Sequence, residues 1–469
     1  MKKKAALHNL GCKVNAYETE AMAQLLADAG YEIVPFEPGA DVYVINTCTV
    51  TNIADRKSRQ MLHKARKMNP EAVVVAAGCY VQTAQNPVEE DVAVDIVLGN
   101  NCKKDLVEAL RYFEEMRGET HGCETAKAPE AEFGQETKAA GGVQQRLDIN
   151  HTREYENLFL SRMQEHTRAH IKVQDGCNQF CSYCIIPYAR GRVRSRALAD
   201  VIHEASELAV NGCREVVLTG IHLSSYGTDL GLTLLDLIRA VHEIEGISRI
   251  RLGSLEPGII TEEFAGALAA LPKLCPHFHL SLQSGCTETL RRMNRRYTAE
   301  EFEEKCQILR RFFDRPAVTT DVIVGFPGET QEEFDATVEF LERIRLYETH
   351  IFKYSRRHGT RAASMPDQIP EQEKAARSDR LIALGEKNRG AFEAQYTGCE
   401  TEVLFEEKTT IKGQEYYIGY TGQYIRAAVP AGQNYENVLV RGRLGKELAP
   451  HVFLLEQEHM GESDSRIFL

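Results

Sequence analysis

The sequence predicts an α/β protein in three parts: an N-terminal open parallel α/β domain over 1–112, a central partial (β/α)6 barrel over 167–390, and a small C-terminal antiparallel β-barrel over 391–469. Three observations carry this. Apolar runs of strand length alternate with amphipathic helical stretches twice near the N-terminus and six times after His170. Several runs end in a small residue or turn followed at once by a chemically useful side chain. Beyond Gly390 the helical pattern stops, and five short strands separated by Gly-containing turns fill about eighty residues.

In the first domain the strands are Ala5–Leu10, Val42–Asn46 and Ala72–Ala77, each running into a cysteine: Cys12, Cys48 and Cys79. Between them the pattern predicts a helix over Asn15–Ala29, with Asn15 and Glu18 as a capping box and Gly30 as its stop, and another over Asp55–Met68. Strand ends of a parallel sheet share one edge, where ligands bind in open α/β folds. The three cysteines therefore meet there and make a metal site, against the alternative of three unrelated buried thiols. A fourth run, Val92–Leu98, leads to Cys102, which lies too far past its strand to be counted. Residues 113–166 are polar, small and acidic, and are expected to be a linker or mobile excursion holding one unassigned thiol, Cys123.

The central strands are expected at Ala169–Gln174, Glu215–Ile221, Arg249–Leu255, His277–Gln283, Val318–Gly325 and His350–Tyr354, with helices such as Leu198–Asn211, Ala299–Phe313 and Gln331–Arg345 between them. Function in such barrels sits on the loops after the strands. After the first strand comes DGCNQFCSYCIIPYARGRVRSR, with Cys177, Cys181 and Cys184 in C-x3-C-x2-C spacing. A structural zinc takes four protein ligands, and no fourth Cys or His lies close by. A cubane iron–sulfur cluster held by three cysteines keeps one iron open to a substrate or cofactor. Other strand ends offer Gly220, His222, Glu256, Gln283, Ser284 and Gly325, residue types suited to close backbone approach or to ribose and amino groups.

At 469 residues, 43% hydrophobic and 26% charged, the composition is that of a multidomain globular protein. No run has the length of a membrane span and the N-terminus lacks a signal-peptide core, so a cytoplasmic protein without membrane contact is expected. Thirteen cysteines in such a compartment are ligands and buried thiols rather than disulfides. Net charge of −12 opposes indiscriminate nucleic-acid binding. Basic residues nonetheless cluster at Arg190, Arg192, Arg194 and Arg196, at Arg291–Arg296, and at Lys353–Arg361. The last domain has seven Lys/Arg against twelve Asp/Glu, so it cannot attract phosphate in bulk. A local face would use Tyr416, Tyr417, Tyr420 or Tyr424 for stacking, with Arg426, Arg441 and Arg443 on phosphates; packing within the barrel is the alternative for each tyrosine.

The phrases NLGCKVNAYETE, DVYVINTCTVT, AAGCY, DGCNQFCSYCIIPYARGRVRSR, LTGIHLSSYG, LGSLEP, SLQSGCTETLRRMNRRY and DVIVGFPGET together resemble the methylthiotransferases of the radical S-adenosylmethionine superfamily. The last domain resembles the RNA-binding TRAM barrel. The resemblance implies two [4Fe-4S] clusters. The one on Cys177, Cys181 and Cys184 chelates S-adenosylmethionine and generates a 5′-deoxyadenosyl radical. The other, on Cys12, Cys48 and Cys79, carries and delivers the methylthio sulfur. It also implies S-adenosylmethionine contacts at the strand-end residues above, and RNA contacts at Arg190, Arg192, Arg194, Tyr424 and Arg426. The implied partners are the anticodon stem-loop of tRNA, a low-potential electron donor and a sulfur source. The branch acting on C2 of threonylcarbamoyladenosine beside the anticodon fits best. Neighbouring branches act on isopentenyladenosine or on a ribosomal-protein aspartate. A reading from another class is a metal-stapled RNA-binding protein without catalysis.

Overall fold

A computed structural model describes residues 2–84, 88, 91–119, 143–162 and 167–457. The Cys123 thiol lies outside the described residues.

The N-terminal sheet is parallel throughout, in the order β2-β1-β3-β4-β5-β6. Its strands are β1 (Lys4–Asn9), β2 (Glu32–Ile33), β3 (Val42–Thr47), β4 (Val73–Gly78), β5 (Ile96–Leu98) and β6 (Val143–Gln145). Every residue of β3 and β4 is buried, because helices cover both faces. Val42 and Val44 pack on the side of α1 (Lys13–Asp28) and α4 (Leu106–Glu119), while Tyr43 and Ile45 pack on the side of α2 (Asn52–Met68). A short α3 (Cys79–Thr83) follows β4.

Two expectations fail here. Helix α1 begins at Lys13 with Cys12 as its N-cap and has no side-chain cap bond. Asn15 and Glu18 therefore lie inside its first two turns, where both are buried. The stretch from 113 is not simply a linker: α4 runs through it to Glu119, β6 extends the sheet, and buried Leu158 and Leu160 pack on Tyr17 of α1.

The central domain holds six parallel strands, β7 (Arg168–Asp175), β9 (Glu215–Gly220), β10 (Arg249–Leu252), β11 (His277–His279), β12 (Ala317–Val324) and β13 (Glu348–Lys353), with β8 (Arg194–Ser195) antiparallel on the β7 edge. Isolated parallel bridges at Ile250–Leu274 and Leu255–Leu280 join β10 to β11. The short α5 (Ile186–Arg190) lies against α3 of the N-terminal domain, and helices α6 (Leu198–Val210), α7 (Leu234–His242), α8 (Glu262–Ala269), α9 (Thr287–Arg292), α10 (Ala299–Phe312), α11 (Gln331–Ile344) and α12 (Glu371–Ala394) complete the domain. Capping boxes start α7 (Thr233/Asp236), α10 (Thr298/Glu301) and α11 (Thr330/Glu333).

Alternation fixes what the concave side contains. Ala169, Ile171 and Val173 of β7, and Val318, Val322 and Val324 of β12, belong to the apolar core under the helices. Their neighbours Arg168, His170, Lys172, Thr319 and Asp321 face the lumen. The lumen is thus polar.

The last domain is a closed barrel in the order β14-β15-β16-β18-β17, built from β14 (Glu400–Ile411), β15 (Gln414–Thr421), β16 (Arg426–Pro430), β17 (Leu439–Ala449) and β18 (Val452–Glu456). It plugs the N-terminal end of the central barrel. Arg249 donates to the carbonyls of Tyr420 (2.8 Å) and Glu402 (2.6 Å), and Arg251 to those of Gly422 (2.9 Å) and Thr421 (3.2 Å). Tyr424 stacks between His277 (5.0 Å) and Tyr420 (4.8 Å), and the guanidinium of Arg251 lies 4.5 Å from its ring centroid. Among the described residues, no helix is long and apolar enough to cross a membrane.

Candidate functional site

Each cysteine of the first triad follows a strand end: Cys12 after β1, Cys48 after β3 and Cys79 after β4. Gly11 makes the first turn possible. Its φ of +108° is open to glycine, and a Cβ there would stand 2.8 Å from Cys48 Sγ. The second triad lies on the loop after β7. Gly176, with φ of +72°, lets the backbone pass so close to Arg192 that a Cβ would fall 1.8 Å from its carbonyl oxygen. Burial, reinforced by the neighbouring thiols, pushes Cys48 and Cys177 up to about 11 and Cys184 up to about 12, and raises Cys12 as well.

Single-ion ligation requires sulfurs about 3.8 Å apart around a tetrahedral zinc. Among the described residues, the three donors that close to within 4.8 Å of one another are His279, Asp321 and His350, not either cysteine triad. Sulfurs set wider than one ion's shell suit a polynuclear cluster.

Charge around the triads supports the same fit. Arg190, fully buried, donates from Nε to Cys79 Sγ at 3.3 Å, from Nη1 and Nη2 to Glu18 at 2.7 and 3.0 Å, and from Nη2 to Asn15 Oδ1 at 2.6 Å. Glu18 also pairs with Lys172 (2.7 Å) and Lys103 (3.1 Å). Asp175 pairs with Lys172 (2.6 Å), Arg190 (3.2 Å) and Arg194 (3.8 Å). Burial alone would raise the Glu18 and Asp175 carboxyls; the surrounding cations hold both below the usual carboxylate range. Four cations face these two carboxylates, and they still outnumber the acids when Glu156, on the backbone N–H of Lys104 at 3.0 Å, is included. The surplus positive charge would complement an anionic, thiolate-ligated group at Cys79.

A second arginine serves the other triad. Arg295 donates to Cys181 Sγ at 3.1 Å and bidentately to Glu256 at 3.0 and 2.9 Å. His222 Nε2 stands 3.7 Å from Glu256 and 3.4 Å from Gln179 Nε2, and its backbone N–H donates to Gln174 Oε1 at 2.7 Å. Burial alone would raise the Glu256 carboxyl, but His222 and Arg295 hold it below the usual range. Gly220 abuts Gln174, where a Cβ would stand 2.8 Å from Oε1. Gln283, with φ of +72°, is buried four residues past β11, where it bridges to Val322 of β12.

The structure separates other sequence-predicted residues from this rim. Ser284 is fully buried, and its hydroxyl faces Thr337 of α11 at 3.2 Å. Lys374 fills the space beside Gly325, where a Cβ would stand 2.3 Å from its Cγ. Arg190 and Arg194 are buried and committed to internal pairs, so they present no surface to RNA. Tyr424 has its faces taken by His277, Tyr420 and Arg251. Arg192, half-buried over the Phe180 ring at 4.5 Å, and half-buried Arg426 keep some exposure. Cys102 is buried, and its thiol is pushed up to about 12.

Sequence reasoning missed the acids and cations that join the triads. Glu18 is read as a cap because it follows Asn15 by three residues; its position less than two turns along the helix that starts after Cys12 was the signal that could have placed it at the site.

The chain matches the Radical SAM superfamily over residues 171–341 and Uncharacterized protein family UPF0004 over 4–99. It is 40% identical over 449 residues to the threonylcarbamoyladenosine tRNA methylthiotransferase MtaB of Bacillus subtilis, covering 95% of this chain and 94% of that one. Against the protein of the same name from Aquifex aeolicus the identity is 40% over 413 residues, covering 88% and 95%. It is 34% identical to the tRNA-2-methylthio-N(6)-dimethylallyladenosine synthase of Moorella thermoacetica, over 92% and 94% of the two chains. In fold it is similar to the radical S-adenosylmethionine methyltransferase TsrM of Kitasatospora setae, with a TM-score of 0.54, 20% identity and 75% coverage of each chain. The chain belongs to the methylthiotransferase family of radical S-adenosylmethionine proteins.

Proposed function

We propose that the protein is a tRNA methylthiotransferase that uses S-adenosylmethionine and [4Fe-4S] chemistry to convert threonylcarbamoyladenosine beside the anticodon to its 2-methylthio derivative. The observation that carries this is the 40% identity over 95% of the chain with a threonylcarbamoyladenosine methylthiotransferase.

Cys177, Cys181 and Cys184 would hold one cluster, and Cys12, Cys48 and Cys79 a second, each leaving one iron without a protein ligand. When bound, the clusters and S-adenosylmethionine supply the radical, the sulfur and the methyl group. The chain's own residues position and enclose. Arg295, held by Glu256, fixes Cys181. Arg190, held by Glu18 and Asp175, fixes Cys79 and docks the N-terminal domain on the barrel rim. Gly220, His222, Glu256 and Gln283 line the rim beside the second triad, where S-adenosylmethionine would sit. Arg192 and Arg426 are the surface cations assigned to tRNA. An external low-potential donor supplies electrons, an external source replaces the sulfur, and the cytoplasm, where tRNA is modified, is the site of action. The domain limits fit 1–162, 167–394 and 395–457.

Mass spectrometry of tRNA nucleosides from a deletion strain tests the proposal. Methylthio-threonylcarbamoyladenosine is expected to disappear and its unthiolated parent to accumulate; an unchanged nucleoside would sink it.

A further inference from the structure

Lys13 is the residue after Cys12, and its side chain is accessible yet set deep between the N-terminal domain and the barrel lumen. Arg168, Arg251 and Asp321, all lumen residues, act on its charge from across this chamber. Two of these charges are already committed: Arg168 pairs with Glu406 at 2.5 Å, and Arg251 with Glu215 at 2.9 Å. The Lys13 ammonium makes no hydrogen bond or ion pair among the described residues. Asp321 in turn belongs to a trio with His279 and His350, whose donor atoms lie within 4.8 Å of one another. His279 is oriented by a 3.0 Å contact between Nδ1 and Thr319 Oγ1, which turns Nε2 toward Asp321 Oδ2 at 3.5 Å, and its ring stacks on that of His350 at 5.8 Å. Such a trio has the donors of a metal site, but the unpaired Lys13 ammonium, acting with Asp321 across the chamber, opposes a dication there and favours an anion.

We propose that Lys13, together with the Asp321 carboxylate across the chamber, forms the subsite that reads the carboxylate-bearing side chain of the substrate nucleoside. This rests on the methylthiotransferase function proposed above. A threonylcarbamoyl group carries a carboxylate for the ammonium, and a hydroxyl and ureido N–H for the Asp321 carboxylate. A dimethylallyl group carries none of these. Sites built to pair a polar group reject the analogue that lacks it, because their own groups are left unpaired.

The test measures binding of one tRNA, with threonylcarbamoyladenosine or plain adenosine beside the anticodon, to the cluster-loaded full chain. Wild type is expected to prefer the modified tRNA by roughly 10- to 100-fold. Lys13→Met should lose that preference with unchanged affinity for the unmodified tRNA and unchanged iron content, and Lys13→Arg should keep it. Asp321→Asn, away from the cysteines, should weaken the preference independently. An undiminished preference in Lys13→Met would overturn the inference, as would equal loss on both tRNAs, the mark of a phosphate contact, or no preference in wild type. Failure of wild type to methylthiolate the modified tRNA would instead overturn the proposed function.

Discussion

Arg190 Nε donates to Cys79 Sγ at 3.3 Å, although the two residues belong to different domains and lie 111 positions apart. The same guanidinium holds Glu18 of the N-terminal domain and Asp175 of the loop that leads into Cys177. One buried side chain therefore ties the surroundings of both cysteine triads together.

Removing that tie leaves two buried carboxylates short of a cation. Arg190→Met is expected to lower stability by roughly 3–5 kcal/mol, read by chemical unfolding of the purified chain. Arg190→Lys keeps the charge but not the fork that reaches Glu18, Asn15 and Cys79 together, and should fall between the two.

Acidification should destabilise the protein in two stages. Burial, helped by Arg251 and Lys13, holds His277 well below its ordinary 6.5. The unfolded chain then binds a proton that the native chain does not, and stability falls as pH drops below about 6.5. Glu18 and Asp175 are also depressed, from ordinary values of 4.5 and 3.8. Their contribution is complete above those values and is lost as pH falls toward the lower folded ones. Each group adds a slope of about 1.4 kcal/mol per pH unit within its window. Unfolding midpoints from pH 8 to pH 3 check this; His277→Asn should shrink the first stage to the share of His8, which burial and Lys64 also hold low, and leave the second.

Gly11→Ala and Gly176→Ala place a Cβ against Cys48 Sγ and the Arg192 carbonyl respectively. Each substitution also strains a positive φ. Both should cost more than about 1 kcal/mol and lower iron retention at the neighbouring triad only, measured by iron content after gel filtration.

Arg295→Gln removes the donor to Cys181 and half of the clamp on Glu256. Outer partners of metal ligands typically contribute 10- to 100-fold, so S-adenosylmethionine cleavage should fall by roughly that factor. Loss of a hydrogen bond to a ligating sulfur should also move the cluster to a lower reduction potential, measured by redox titration.

Much of this architecture is legible in the sequence, because the strands are short apolar runs and the cysteines directly follow them. The order of β1, β3 and β4, the six central strands and the five-strand barrel follow from periodicity and turns. Partnerships between distant polar residues do not. The arginines at 190 and 194 look like a surface patch because a local window shows their charge and hides Glu18 and Asp175, which meet them only after two domains dock. Tyr424 resembles a free stacking platform for the same reason: His277 and Arg251 cover it from a different domain. Asn15 and Glu18 satisfy the spacing of a capping box, but the helix starts earlier, and tertiary contacts claim both side chains.

Counting iron and sulfide in anaerobically reconstituted wild type, Cys12→Ala and Cys177→Ala tests the central claim most directly. Two separate clusters predict about eight irons and eight sulfides in wild type, with each variant losing half and keeping the other triad's signal. Wild type with zinc in place of iron and sulfide, or a single variant that loses everything while the other loses nothing, would contradict it.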